Sequence, residues 1–236
     1  MGQPRIIRSI LTSALQLWLR SLVEEVDTLD VDIQASDRQL LNGYIPRTLL
    51  KAEGAVYAGL RLTQIHLQAN GIRVNLRQIL RGKPFQLADP IAVQLQAQVS
   101  AEDLNRSLRS ELLSTGLMTL TQQLLPQVPI AVTHVTLAPG QLIFRGKPKS
   151  AIDRAAAGKL GREGSAAPVE LSTQVSFQGA TLYFKRVHLL AHPTLTNPPL
   201  PRSLPDQALS LGEVEIQTLI LTPDKIVLAG ELKVLP

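Results

Sequence analysis

The alternation of apolar and uncharged polar residues limits the fold of this chain more than any other feature. In residues 93–99, valine, leucine and alanine alternate with three glutamines, and a two-residue period returns in residues 169–177 and 214–220. Successive side chains of a strand point to opposite faces, so each segment predicts a strand with one apolar and one polar face. Such strands fit an antiparallel sheet that curls around an apolar interior.

Two longer segments have the period of a helix instead. Residues 6–26 carry a broad apolar stripe. Ser100, followed three residues later by Asp103, resembles a capping box, and leucines at helical spacing continue from there to Pro126, with Thr115-Gly116 as a place where the helix could break. We therefore expect two amphipathic helices, one near the N-terminus and one in the middle of the chain.

The N-terminal helix could act in two ways. Its stripe can dock on the sheet, or part of it can contact a bilayer with Trp18 near the headgroups. We interpret it as a retained helix rather than a signal peptide, because Thr12, Ser13 and Gln16 interrupt the apolar residues and no small-x-small cleavage site follows. No stretch reaches the ~18 uninterrupted apolar residues of a membrane-spanning helix. We expect a cytoplasmic protein, or one peripheral to the inner or thylakoid membrane.

Composition narrows the possible partners. The 236 residues are 44% hydrophobic but only 3% aromatic, so the apolar surfaces consist mainly of leucine, isoleucine, valine and alanine. A net charge of +5 suits an anionic membrane surface. Nucleic acid is disfavoured as a partner, because few aromatic side chains are available to stack on bases. The absence of cysteine excludes disulfides and thiolate metal ligands.

The predicted elements form a single domain, residues 1–236, because no linker rich in proline, glycine or serine separates two cores. Tight turns are predicted at Asn42-Gly43 and Asn70-Gly71, a flexible basic loop at residues 146–168, and an extended proline-rich crossing at residues 193–205. The fold class is α+β, with a long curved antiparallel sheet wrapped around the amphipathic helices. Its predicted strands are 29–33, 45–57, 59–69, 72–76, 91–99, 130–137, 141–144, 169–177, 181–190, 208–221 and 225–235, with a short helical turn at 77–80.

The sequence carries no motif for catalysis, metal binding or cofactor binding. The histidines at positions 66, 134, 188 and 192 lack metal-ligand spacing, and no nucleophile elbow or phosphate-binding glycine loop is present. The acidic residues in 24–32 could serve as paired carboxylates or calcium ligands, but a solvated helix end and strand face is the simpler interpretation. We predict a protein that is not an enzyme and has no cofactor.

One tetrapeptide occurs twice. Arg81-Gly82-Lys83-Pro84 returns as Arg145-Gly146-Lys147-Pro148, each time after an apolar element. Four residues are too few to establish a duplication, and a shared turn preference explains them. The alternative is that two basic turns lie at a rim, where they meet lipid phosphate.

Several motifs of the N-terminal half occur together in a known family. They are Ala14-Leu15-Gln16-Leu17-Trp18-Leu19-Arg20, Leu41-Asn42-Gly43-Tyr44-Ile45-Pro46, Gly59-Leu60-Arg61-Leu62, Gln78-Ile79-Leu80-Arg81-Gly82-Lys83-Pro84 and the strand-to-helix junction Val99-Ser100-Ala101-Glu102-Asp103-Leu104-Asn105. This set resembles the LmeA-like phospholipid-binding family, and it is closest to the branch found in photosynthetic bacteria. The resemblance covers residues 6–125 well and the remainder by strand pattern only. It implies a tubular sheet wrapped on helices, similar to lipid-transfer proteins of the bactericidal/permeability-increasing (BPI) type, with phospholipid in an apolar groove.

The strand faces and this resemblance together predict non-catalytic carriage or transfer of a phospholipid or similar amphiphile. Two sets of side chains are expected to contact it. The acyl chains are expected to lie against Leu60, Leu62, Ile65, Leu67, Val93, Leu95, Leu104, Leu108 and Leu112, and the headgroup at a rim of Arg81, Lys83, Arg145 and Lys147.

Two alternatives remain open. The same aliphatic side chains could fill one another's space at normal packing density, leaving a ligand-free module that docks a partner protein at a membrane surface. A lipid-modifying enzyme would need His66 or His188 in a cleft beside a carboxylate.

Overall fold

The computed structural model describes residues 3–125, 130–148, 168–191, 203–210, 212 and 214–235, with backbone only for residues 3–7 and 191. In chain order the elements are α1 Gln3–Ser21, β1 Thr28–Gln34, α2 Asp37–Leu41, β2 Tyr44–Tyr57, β3 Leu60–Arg73, α3 Leu76–Ile79, β4 Ile91–Ser100, α4 Ala101–Arg106, a 3-10 turn Ser107–Arg109, α5 Glu111–Leu124, β5 Ile130–Ala138, β6 Gln141–Pro148, β7 Val169–Gln178, β8 Thr181–Ala191, β9 Ser203–Leu204, β10 Gln207–Ser210, β11 Val214–Leu221 and β12 Lys225–Val234.

These strands belong to two open sheets, where the sequence predicted one. The first has the strand order β1-β2-β3-β4-β12-β11, and the second has the order β10-β8-β7-β6-β5, with β9 beside β8. The single strand predicted over residues 208–221 is two strands, since β10 ends at Ser210 in one sheet and β11 begins at Val214 in the other. Between them Gly212 has φ +69°, a left-handed conformation that suits a change of chain direction.

The chain is divided into two compact units. Unit 1 comprises residues 1–99, 213–218 and 227–236, and unit 2 comprises residues 100–212 and 219–226. The single domain expected from the sequence stays a prediction. Of the predicted basic loop, residues 149–167 lie outside the described residues, as do residues 192–202 of the proline-rich crossing.

In unit 1, one face of the sheet is apolar across four strands. Cross-strand pairing places Val31 opposite Leu50, Leu50 opposite Leu67, and Leu67 opposite Leu95. Directly opposed side chains lie on the same face of a sheet, so these four form one aliphatic row. The helix α1 contacts β1, and its Leu11 belongs, fully buried, to the same core. The apolar stripe predicted for the N-terminal helix therefore packs on the sheet.

One of the two predicted tight turns is wrong. Asn42-Gly43 is a turn, with Gly43 at φ +68°, but β3 continues through Asn70-Gly71 to Arg73. The register of β2 against β3 is unchanged there and places Pro46 opposite Gly71. Gly71 has an irregular backbone, with φ +67°. The strand tolerates it at this position because Pro46 has no N–H to donate to a ladder hydrogen bond.

The helical region of unit 2 begins as predicted and breaks elsewhere. The Asp103 N–H donates to Ser100 Oγ at 3.0 Å, which confirms the expected N-cap. The break lies at Ser110, which has extended backbone angles and caps α5 by accepting the Leu113 N–H at 3.2 Å. Gly116 lies inside α5. A second serine cap starts a new helix here, so the helical segment breaks at Ser110, six residues before Gly116 of the predicted break.

The core of unit 2 lies between α5 and the second sheet. Leu120 and Leu124 of α5 are 3% and 1% exposed, and they belong to one cluster with Phe144 of β6 and Leu171 of β7. Phe144 and Leu171 are directly opposed across these two strands. Each unit therefore has an amphipathic helix on one face of an antiparallel sheet.

Candidate functional site

The aliphatic row of unit 1 becomes less buried from β1 towards β4. Val31 and Leu50 are 7% and 8% exposed, whereas Leu67 and Leu95, in the same row, are only half-buried. We call the part on β3 and β4 the β3–β4 face, and it consists of Ile65, Leu67, Val93, Leu95 and Ala97. Val93 is buried, and the other four side chains are half-buried. Apolar surface left in water costs about 25 cal/mol per Å², so a ligand that covered this face would be stabilised.

Six of the nine predicted lining residues lie in unit 1. Ile65, Leu67, Val93 and Leu95 share the β3–β4 face through direct cross-strand pairs. Leu60 and Leu62 are half-buried, at the β3 end where this strand begins. Sequence reasoning therefore selected most of the β3–β4 face, because its period-two pattern is local.

The other three predicted lining residues lie in unit 2. Leu104 and Leu108 pack in its core, and Leu108 is 6% exposed. Leu112, in the first turn of α5, is 46% exposed. Leu112 is thus in a different environment from the other two, since the Ser110 cap separates α5 from the helix that carries Leu104.

The first predicted rim segment is a basic turn, as expected. Arg81 and Lys83 are exposed, directly after α3. Between them Gly82 has φ +76° and donates its N–H to Ile79 O at 2.9 Å, which closes the helix end. Neither cation forms an ion pair with any residue that the structure describes.

The second predicted rim segment is not a turn. Residues 145–148 belong to β6, where they pair with β5. Arg145 Nε lies 2.8 Å from Glu170 Oε1 on β7, while Lys147 is exposed. The expectation of two basic turns is therefore wrong for this copy, because neighbouring strands on both sides hold it extended.

Trp18 is half-buried and packs inside unit 1. Its ring centroid is 5.3 Å from that of Phe85, which is 3% exposed. The apolar side chains that α1 leaves in solvent are others, with Leu17 at 73% and Ile10 at 37% exposure. A membrane contact for Trp18 stays a prediction.

Unit 2 contains an open cleft of about 580 Å³ between α4, β5 and Pro223. Its walls include Glu102 and Arg106, which form an ion pair with each other, and the exposed His134. None of the nine predicted lining residues contributes to it. The cleft is therefore separate from the predicted lining set, and its walls mix these charged and polar side chains with Val135, Leu137 and Pro223.

Sequence reasoning missed the role of Asn105 beside this cleft. Its amide Nδ2 donates to Val135 O at 2.8 Å, and its Oδ1 accepts the Val135 N–H at 2.8 Å. β5 is the edge strand of its sheet. The Asn105 side chain pairs with the backbone N–H and C=O of Val135 as a neighbouring strand would, and these two groups would otherwise lack a partner in the sheet. The only sequence signal was an asparagine inside the junction motif of residues 99–105.

The acidic run at residues 24–32 has two roles. Asp30 and Asp32 are exposed on β1, as the solvated interpretation expects. Glu24 Oε1 instead accepts the Gly59 N–H at 3.0 Å, and Arg61 lies 3.0 Å from Asp27 Oδ2. These contacts fasten the end of the β2–β3 hairpin.

The histidines at positions 66, 134 and 188 are exposed on strands, and the fourth, His192, lies outside the described residues. Within the described ranges no three histidine, aspartate or glutamate side chains gather as a metal ion would require. None of the helices described is both long enough and apolar enough to cross a bilayer.

These features define a class of protein, in which open antiparallel sheets offer an aliphatic face on one side and polar side chains on the other. The chain belongs to the LmeA-like phospholipid-binding family, whose model matches residues 2–231. The family resemblance seen in the N-terminal motifs is thus confirmed and extends through the C-terminal half, while the photosynthetic branch stays a prediction. Comparison with curated proteins and with solved structures gives no match for this chain.

Proposed function

We propose that the protein holds one phospholipid or similar amphiphile non-covalently and carries or transfers it, without catalysing a reaction on it. Membership of a phospholipid-binding family supports a lipid ligand. The β3–β4 face is the observation that carries the proposal, because Ile65, Leu67, Leu95 and Ala97 stay half-buried on the same side of the sheet as the buried Val31 and Leu50. Each acyl methylene that leaves water contributes about 0.8 kcal/mol, so about a dozen must be sheltered to compete with a bilayer.

In this proposal the sheets take the tubular, BPI-like arrangement, and acyl chains lie between sheet and helices. Ile65, Leu67 and Leu95 are the lining residues best suited to contact them, since they share one face. The headgroup lies at a basic rim, to which Arg81 and Lys83 contribute unpaired cations among the described residues. Arg145 is the weaker candidate because Glu170 already neutralises it.

The test uses two directly opposed pairs on the same strands. Leu67 and Leu95 face the aliphatic side, and His66 and Gln96 face the other side. The purified wild-type protein should release stoichiometric lipid on solvent extraction, measured by mass spectrometry. Leu67→Asn with Leu95→Asn should retain about tenfold less lipid, corresponding to ~1.4 kcal/mol. His66→Asn with Gln96→Asn should retain it fully.

Circular dichroism and urea unfolding establish that both double variants are folded. A wild-type protein that is folded and free of lipid contradicts the proposal and favours the ligand-free interaction module. Equal lipid content in the two variants contradicts the assignment of the β3–β4 face.

A further inference from the structure

One end of unit 1 is formed by two chain segments that meet at Gly43. Residues 35–44 contain α2, and residues 72–90 contain α3. The Val74 N–H donates to Gly43 O at 2.9 Å, and a Cβ at Gly43 would collide with the Val74 carbonyl oxygen. Because this approach is so close, the end of α2 and the start of α3 are adjacent. We call these two segments the basic end.

The basic end carries an excess of positive charge. Its segments contain five basic and two acidic residues. The basic ones are all exposed, and none forms an ion pair with a described residue: Arg38, Arg73, Arg77, Arg81 and Lys83. Unpaired surface cations at this density attract an anionic surface, and the attraction is screened by salt.

Large apolar side chains are exposed within the same end. Leu41, at the end of α2, is 60% exposed, Leu80, at the end of α3, is 50% exposed, and Tyr44 is 36% exposed. Aliphatic tips surrounded by cations suit the interface of a bilayer, where the tips enter the acyl boundary and the cations meet phosphates. A nucleic acid would use the cations but would leave both leucines in water.

The opposite end of unit 1 has the opposite charge. Residues 21–28 and 53–61 contain four acidic residues and only Arg61 as a base. They are joined by two backbone hydrogen bonds, from the Glu24 N–H to Val56 O and from the Val56 N–H to Glu25 O. The 14 residues of β3 separate the two ends by about 43 Å at ~3.3 Å per residue. Unit 1 is therefore polarised along its long strands, and only one end is electrostatically complementary to an anionic membrane.

We propose that the basic end is the surface by which the protein docks on an anionic phospholipid bilayer, with Leu41 and Leu80 inserted among the headgroups. The inference rests on the proposed function, since a lipid carrier must meet a membrane. It adds the surface that contacts the membrane, which is different from the residues proposed to contact the acyl chains. It places the exposed leucines of α2 and α3, rather than the outer face of α1, against the bilayer.

The experiment is cosedimentation of the full chain with vesicles of phosphatidylcholine mixed with phosphatidylglycerol. Arg38→Gln with Arg73→Gln and Arg77→Gln should weaken binding about 100-fold, at about fivefold for each cation. A charge-matched control removes three exposed basic residues elsewhere, Lys51→Gln with Arg109→Gln and Lys185→Gln, and should change binding less than about fivefold.

A second pair of variants tests the apolar contact. Leu41→Ser with Leu80→Ser should weaken binding about tenfold even at high salt, because insertion is not screened. The control is Leu17→Ser with Leu22→Ser, which removes side chains that are 73% and 49% exposed at the C-terminal end of α1. It should leave binding unchanged. A greater loss in this control, or equal losses in the two charge variants, overturns the inference. Full binding by the Arg38/Arg73/Arg77 variant does so as well.

Extracted lipid, measured on the same samples, separates this inference from the proposed function. The Arg38/Arg73/Arg77 variant should retain its lipid while losing vesicle binding, which supports both. A lipid-loaded variant that still binds vesicles fully overturns the docking surface alone. A wild-type protein that contains no lipid but docks through these residues overturns the proposed function alone.

Discussion

The tetrapeptide Arg-Gly-Lys-Pro occurs once in each unit and has a different structure in each. In unit 1 it is the turn after α3, where Gly82 is left-handed and an added Cβ would meet nothing within 4 Å. In unit 2 it is part of β6, where a Cβ on Gly146 would lie 2.6 Å from the carbonyl oxygen of Ala131. The same glycine is used for its backbone freedom in one unit and for its lack of a side chain in the other.

The same four residues therefore do not fix either the backbone conformation or the ion pairs of the segment that contains them. Arg81 is unpaired among the described residues, whereas Arg145 pairs with Glu170, although the local sequence around the two arginines is the same. The neighbours supplied by the rest of each unit decide the conformation and the partners. Matched substitutions in the two units test this directly.

The largest expected effect is at the two glycines. Gly146→Ala should lower the free energy of unfolding by about 3 kcal/mol, because the methyl group collides with the backbone of β5, which cannot move aside. Gly82→Ala should lower it by about 1 kcal/mol, the cost of a left-handed alanine. Urea unfolding followed by circular dichroism measures both, and equal losses would contradict the distinction between strand and turn.

Two buried threonines should respond with opposite signs. Thr48 of unit 1 is 5% exposed and its hydroxyl has no hydrogen-bond partner among the described residues. Thr121 of unit 2 is fully buried and donates to Ile130 O at 3.2 Å. Thr48→Val should raise the free energy of unfolding by about 1 kcal/mol and Thr121→Val should lower it by about 1 kcal/mol. A loss of stability in both variants would show that the Thr48 hydroxyl is satisfied in solution.

The smallest expected effect is at the two arginines. Arg145→Gln should lower the free energy of unfolding by about 0.5 kcal/mol, because its ion pair with Glu170 is partly exposed. Arg81→Gln should leave it unchanged. A double-mutant cycle with Glu170→Gln at low and high salt isolates the pair, whose coupling should vanish at high salt. A coupling energy that persists there would mean that the pair is less accessible to solvent than its exposure indicates.

Local features of the fold could be predicted from the sequence. The Ser100 cap, the α3 turn and the strands β1 and β4 follow from signals within a few residues of each. Non-local features could not. Asn70-Gly71 has a turn sequence, yet it continues β3 because β2 offers partners on both sides of it.

The candidate site shows the same limit. The alternation of residues 93–99 was sufficient to select Leu95 and its neighbours as one face. It could not show that Leu67 and Leu95 are less buried than Val31 and Leu50, since burial depends on where α1 lies over the sheet. The contribution of Leu112 was predicted from helical spacing, which the Ser110 cap interrupts.

Local sequence was enough to predict most of the helices and strands, their apolar faces and the family to which the chain belongs. These are properties of local period, capping and motif, and each is specified within a few residues. Three features became visible only in the folded chain: the division of the strands between two sheets, the strand conformation of one copy of the tetrapeptide, and the polarised charge of unit 1. The physical reason is that strand pairing, burial and the grouping of charges depend on contacts between residues far apart in the chain.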